Sequence, residues 1–161
     1  GAKILLHKVQ KPELYGVAKI DKQRKIISLK EKPRKFFSDL AVTGLYFFDK
    51  DVVEYAKKLN PSKRGELEII DLLSKYKKQK KLSANLIGRG GAWLDAGSIE
   101  DFYKTSAFVE AIESRQGLKI ACIEEIAYML GYITKIELIE LSNPLQNNQY
   151  GKYLIEKVLK N

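Results

Sequence analysis

A chain of 161 residues with 45% hydrophobic and 10% aromatic content can bury a sizeable single-domain core, which excludes a disordered chain. Cys122 is the only cysteine, which excludes an internal disulfide and fits a reducing, cytoplasmic setting. A signal-peptide pattern and an apolar run of membrane-spanning length are both lacking, so no membrane partner is expected. The net charge of +9, from 29 Lys and Arg against 20 Asp and Glu, attracts phosphates, nucleotides, nucleic acid or anionic membranes without distinguishing them. The densest basic cluster, Lys75, Lys77, Lys78, Lys80 and Lys81, reads as a solvated helix end. No aromatic residues interleave with the bases as stacking on nucleic acid requires, so no nucleic-acid partner is expected.

In chain order, Ala2 to Val9 reads as a strand that begins with no turn or cap before it, as though the chain were cut. Tyr15 to Asp21 and Ile26 to Lys30 read as a hairpin across the polar Asp21 to Lys25. Glu31-Lys32-Pro33 ends it, with Pro33 expected to hold Lys32 extended, so that acid and base leave in opposite directions. In isolation these residues read first as an exposed ion pair before a turn, the commoner meaning of Glu-Lys-Pro. Ala41 to Phe48 has β-branched and aromatic residues on both faces and is expected at the sheet centre. Gly44 inside it leaves room for a flat sugar ring or for a packed neighbour, and Tyr46 shares its face.

Asp49 is expected to cap a helix from about Lys50 to Leu59. Ile69, Leu72, Leu73 and Tyr76 keep a helical period, which puts Arg64 just before a helix N-terminus, suited to a phosphate or to pairing with Glu66 or Glu68. The stretch Gly90 to Asp101 lies between the strand-like Leu82 to Gly88 and a helix from Ile99 to about Arg115. Asp95 therefore sits at a strand-to-helix junction, where it either holds a ligand or stabilises the helix start. Ser98 and Asp101 are expected to form a capping box, and Ile99, Phe102, Val109 and Ile112 a core stripe. Cys122 to Met129, Lys135 to Leu141 and Tyr150 to Leu159 read as a helical tail, with Thr134 and Glu137 as a second capping box. The inventory supplies neither a nucleophilic triad nor a zinc site.

Taken in order, Tyr15-Gly16-Val17, Glu31-Lys32-Pro33, Val42-Thr43-Gly44-Leu45-Tyr46, Arg64-Gly65-Glu66-Leu67-Glu68-Ile69 and Trp93-Leu94-Asp95-Ala96-Gly97 resemble the glucose-1-phosphate thymidylyltransferases, which are sugar-nucleotide pyrophosphorylases. The resemblance runs on through Arg115 to Cys122 and Glu124 to Ala127 to Tyr150-Gly151-Lys152-Tyr153-Leu154. It implies a three-layer α/β/α nucleotidyltransferase-like fold with a mixed sheet, a sugar-phosphate-binding half at 1–117 and a helical tail for assembly or regulation at 118–161. The nucleotide-binding N-terminal half, with its Gly-rich loop, catalytic Arg and second Mg²⁺-binding Asp, is absent from this sequence.

In such enzymes glucose 1-phosphate attacks the α-phosphate of dTTP to give dTDP-glucose and pyrophosphate, the first step toward dTDP-rhamnose. By the resemblance, Gly16, Glu31 and Val42 bind glucose hydroxyls, Gly44, Tyr46 and Trp93 complete the sugar pocket, and Lys32 and Arg64 hold the phosphate. Asp95 is implied as one of two Asp ligands to Mg²⁺. Arg89, Lys119 and Glu125 are implied in a secondary nucleotide site, where Met129 stands in place of a familiar Arg. The expected partners are glucose 1-phosphate, dTTP or dTDP-glucose, and either further copies of the chain or an N-terminal half. The rival expectation is a non-catalytic fragment that acts in self-association or partner binding.

Overall fold

The computed structural model describes residues 1–159, and the chain divides into two compact units, Gly1–Trp93 and Leu94–Asn161. The first unit is a mixed five-stranded sheet with helices. Its strands are β1 (Ala2–Lys8), β2 (Val17–Ile20), β3 (Ile26–Lys30), β4 (Leu40–Phe48) and β5 (Leu82–Leu86), in the order β3-β2-β4-β1-β5. Only β1 and β5 run parallel, while β4 lies at the centre as its two apolar faces require. Along β1 the pleat sends Ala2, Ile4 and Leu6 into the core and Lys3 and His7 to the other face.

Ile4, Leu6, Ala18 and Val42 on the sheet meet Ile70 and Leu73 of α2 (Ile69–Lys78). Each buried Ile, Leu or Val among them contributes about 1.5–3 kcal/mol by leaving water. A second patch joins Ala2, Leu72 and Tyr76 to Val52 and Tyr55 of α1 (Val52–Lys57). Tyr76 can be fully buried because its hydroxyl donates to Asp49 Oδ1 at 2.7 Å.

Three local expectations are corrected and one open alternative, at Gly44, is decided. Asp49 does not cap α1: its Oδ1 accepts the Asp51 N–H at 3.2 Å, and the helix starts after Asp51. Lys75 is not a solvated helix end, since its Nζ donates to the Tyr55 and Lys58 carbonyls at 3.1 and 2.9 Å and closes α1. Gly44 faces open space rather than a packed neighbour. It belongs to an irregularity in which Leu5 alone spans Thr43 to Leu45, with Thr43 Oγ1 donating to the Leu5 carbonyl at 3.1 Å. Lys32 is not extended: its φ is +36°, and its N–H turns back to the Tyr15 carbonyl at 3.1 Å. That bond outweighs the preference set by Pro33, so the alternation of the strand ends at Lys30.

The second unit holds α3 (Ile99–Gln116), α4 (Ile123–Met129), α5 (Lys135–Ser142) and α6 (Gln149–Tyr153), which runs into a π-helical turn over Leu154–Val158. Cys122, Leu138, Tyr153 and Leu154 form its core. The Thr134–Glu137 capping box is complete, with Glu137 accepting the Thr134 N–H at 2.7 Å and Thr134 accepting the Glu137 N–H at 3.2 Å. At α3 the box is incomplete. Ser98 accepts the Asp101 N–H at 3.1 Å, but Asp101, one methylene shorter than Glu, takes the Ser98 hydroxyl at 2.6 Å. The apolar stripe of α3 is not core: Ile99 and Phe102 are 92% and 64% exposed, and no residue of the helix is buried. Periodicity identifies an apolar face without supplying what covers it.

Candidate functional site

The sheet brings several of the expected residues together through the open end of the β2–β3 hairpin. Val17 faces Lys30 in register, so Gly16 and Glu31 stand opposite one another one step further out. A Cβ on Gly16 would meet Glu31 Oε2 at 2.9 Å and Ile70 Cδ1 at 2.7 Å, so a larger residue there would push these side-chain ends aside. The Gly16 carbonyl accepts the Val42 N–H at 2.8 Å, and the Tyr15 carbonyl accepts the Lys32 N–H at 3.1 Å. The Tyr15–Gly16 backbone thus fixes Glu31, Lys32 and Val42 at one end of the sheet.

Sequence reasoning did not single out Tyr15, whose ring also meets Trp93 edge-on at 5.1 Å, with His7 6.2 Å from the indole. Lys32 also carries a positive φ, in a region that L side chains avoid.

Arg64 lies on a loop four residues before the N-cap of α2, Glu68. Its guanidinium pairs with Glu66 at 2.7 Å, Glu68 at 3.6 Å and Glu31 at 3.8 Å. The loop is held by Ser62, whose hydroxyl accepts the Arg64 N–H at 3.1 Å and donates to Glu68 at 2.8 Å. Ser62 carried no signal in the sequence. Burial, and next the Glu68 charge, push the Glu31 carboxyl above its ordinary value, while Lys32 and Arg64 oppose the shift. Burial and the Glu31 charge push the Tyr46 phenol up as well, so Tyr46 belongs to the same electrostatic neighbourhood.

The raised Glu31 carboxyl has a consequence for stability. The folded state holds this proton more tightly than the unfolded chain, so the group's contribution is fully present below its ordinary value of 4.5 and is lost as pH rises through the raised value. Glu31→Gln should therefore raise the unfolding free energy read from urea denaturation at pH 7, by about half a kcal/mol or less for a group this accessible, and change it little near pH 4. A less stable variant at pH 7 would mean that the charge is net favourable where it stands.

Asp95 and Arg89 are exposed; Arg89 lies in the first unit and Asp95 in the second. A Cβ on Gly97 would come within 3.2 Å of Asp95 Oδ2, so the carboxylate folds over that glycine. Among the described residues no group of three His, Cys, Asp or Glu side chains is arranged to hold a metal. Lys119 and Glu125 both lie in the second unit. Lys119 pairs with Glu113, whose carboxyl is held down first by Lys119 and then by the Ile120 N–H. Glu125 accepts the Tyr153 hydroxyl at 2.7 Å, and Glu113, Lys119 and Tyr153 line a cavity of about 340 Å³. Cys122 is buried against the Tyr150 hydroxyl at 3.2 Å, as a structural residue would be.

One end of the mixed sheet thus gathers a half-buried carboxylate, a lysine at positive φ and a loop arginine. The chain belongs to the nucleotidyl transferase family, whose profile matches residues 1–112. Within that family it is similar to the glucose-1-phosphate thymidylyltransferase of Neisseria meningitidis (serogroup A, strain Z2491), 44% identical over 99% of this chain and 56% of the relative. It is also similar to that of Xanthomonas campestris pv. campestris (strain B100), 47% identical over 96% of this chain and 52% of the relative. The chain thus spans about half the length of the curated relatives it matches.

Among solved structures, a putative glucose-1-phosphate thymidylyltransferase from Bacillus anthracis in complex with a sucrose matches with a TM-score of 0.59 and 45% identity, over 67% of this chain and 43% of that one. A UDP-glucose pyrophosphorylase complexed with UDP-glucose matches with a TM-score of 0.59 and 27% identity, over 66% of this chain and 43% of that one. Among the described residues no helix is long and apolar enough to cross a membrane.

Proposed function

We propose that this chain is the sugar-phosphate-binding portion of a cytoplasmic glucose-1-phosphate thymidylyltransferase, which makes dTDP-glucose and pyrophosphate from dTTP and glucose 1-phosphate. The observation that carries the reading is the Tyr15–Gly16 ridge, which sets Glu31, Lys32 and Val42 side by side with Arg64 against Glu31. Glu31 and the backbone at Gly16 and Val42 bind glucose hydroxyls. Gly44, Tyr46 and Trp93 complete the sugar pocket. Lys32 and Arg64 hold the phosphate and orient the oxygen that attacks the α-phosphorus of dTTP, from which pyrophosphate departs. Positioning and charge neutralisation suffice for such a transfer, without a covalent intermediate on the protein.

Asp95 would supply one oxygen ligand to Mg²⁺, which neutralises phosphate charge when bound. A single exposed carboxylate fits an ion that takes one or two carboxylates and completes its shell with water and phosphate oxygens. In this reading residues 1–117 serve the sugar half, although the compact units divide at Trp93, and 118–161 serve assembly or regulation. Arg89, Lys119 and Glu125 contribute to a secondary nucleotide site, and the complete enzyme is an oligomer. The second reading, a non-catalytic self-associating fragment, draws on the exposed α3 face, where Tyr103 is 74% exposed beside Ile99 and Phe102.

Calorimetric titration tests the first reading. Glucose 1-phosphate should bind the chain more tightly than glucose does, and Arg64→Ala should remove most of that difference, whereas the chain alone should form no dTDP-glucose with dTTP and Mg²⁺. Equal affinity for the sugar and its phosphate would refute the site. Turnover well above a heat-killed control would refute the need for residues beyond this chain.

A further inference from the structure

Arg64 is committed to carboxylates before any phosphate arrives. Its Nη2 lies 2.7 Å from Glu66 Oε2, whereas Nη1 stands 3.6 Å from Glu68 and 3.8 Å from Glu31, so Glu66 holds the one close contact. The three acids are not equally free to leave. Glu68 is 12% exposed and is anchored by the Ser62 hydroxyl, and Glu31 is 25% exposed. Glu66 is 58% exposed. The loop beneath it is fixed, with the Ser62 N–H on the Glu66 carbonyl at 2.8 Å and the Gly65 N–H on the Ser62 carbonyl at 2.9 Å. The Glu66 side chain can therefore swing away while the backbone that presents Arg64 stays in place.

A guanidinium edge accepts a carboxylate or a phosphate in the same planar geometry, and one edge cannot serve both. We infer that Glu66 is a built-in placeholder for the substrate phosphate: it occupies Arg64 in the empty site and must be displaced when a sugar phosphate binds, which sets the affinity for phosphorylated sugar. The inference rests on Arg64 as a phosphate-holding residue. Its consequence runs opposite to that of an ordinary contact residue, since removing the Glu66 charge strengthens binding.

The test titrates wild type, Glu66→Gln, Glu66→Asp and Arg64→Ala with glucose 1-phosphate and, separately, with glucose. An exposed ion pair is worth little, so Glu66→Gln should tighten glucose 1-phosphate by about two- to fivefold and leave glucose unchanged. Glu66→Asp, which keeps the charge on a shorter stem, should fall between wild type and Gln. Arg64→Ala should weaken the sugar phosphate. Urea midpoints establish that each variant is folded.

If Arg64→Ala weakens binding while Glu66→Gln does not tighten it, the placeholder role is wrong and the phosphate site stands. Equal tightening of glucose would mean a loosened loop, which also overturns the placeholder. Should Arg64→Ala bind like wild type, or no form bind the sugar phosphate, the site reading itself fails and this inference fails with it.

Discussion

Asp95→Asn should lower turnover by about a hundredfold or more, the scale on which loss of one preorganised electrostatic contact at a reacting centre is felt, while glucose 1-phosphate affinity changes little. The measurement is made in a hybrid that carries the N-terminal part of the Neisseria meningitidis relative, 44% identical to this chain over the shared region. Asn keeps the size of the side chain over Gly97 and leaves the Ser98 cap untouched, so the substitution removes charge with little change of shape. The loss should appear in kcat and be partly recovered by raising Mg²⁺, as expected when a metal ligand is weakened. If Asp95 only favours the N-terminus of α3, the outcome inverts, with near-normal turnover and less than about 1 kcal/mol of lost stability. Normal kcat in a slightly less stable protein would remove the metal role.

The largest stability effect is expected at Gly151, in a helix remote in sequence from the proposed sugar-site residues. This glycine is buried in α6, and a Cβ there would land on the Leu145 carbonyl group and close to the Gln146 nitrogen, all backbone atoms. Backbone cannot rotate aside as a side-chain end can. The Asn148 side chain also accepts the Gly151 N–H at 2.9 Å, which ties α6 to the same turn. Gly151→Ala would gain helix propensity in an isolated peptide, yet here it should cost about 2–3 kcal/mol through overpacking. Loss should be read by chemical denaturation of the second unit, with near-wild-type glucose 1-phosphate binding as the control. An unchanged midpoint would mean that α6 shifts freely against the turn before it.

Much of the sheet was legible because its signals are local. Ala2 to Val9 read as a strand, polar residues between apolar runs marked the β2–β3 hairpin, and apolar residues on both faces put β4 in the middle. Thr134-x-x-Glu137 was readable because both partners of the cap are set by spacing. Asp101 satisfied the same spacing with a shorter side chain, and length decided that box against it. Lys32 went astray because a nearest-neighbour rule about proline competes with a hydrogen bond to Tyr15, which is distant in sequence and visible only once the hairpin has formed. The ring of carboxylates around Arg64 was half legible: Glu66 and Glu68 were within reach by spacing, whereas Glu31 arrives through the sheet. Ser62 has no sequence signature at all. The α3 stripe shows the limit of periodicity, since the apolar face was found and its covering was not.

The hairpin that sets Gly16 opposite Glu31 closes at its other end in a turn that Asp21 organises, its side chain accepting the Gln23 and Lys25 N–H groups at 2.9 and 2.8 Å and Arg24 adopting a φ of +62°. Pairing in β2–β3 is counted from that turn, and one residue more or less would exchange the two faces of a strand. An insertion between Asp21 and Lys25 would thus unseat Glu31 from Gly16 while touching neither residue. The turn is consequently sensitive to length: a single inserted residue acts on the Gly16–Glu31 pairing from the opposite end of the hairpin.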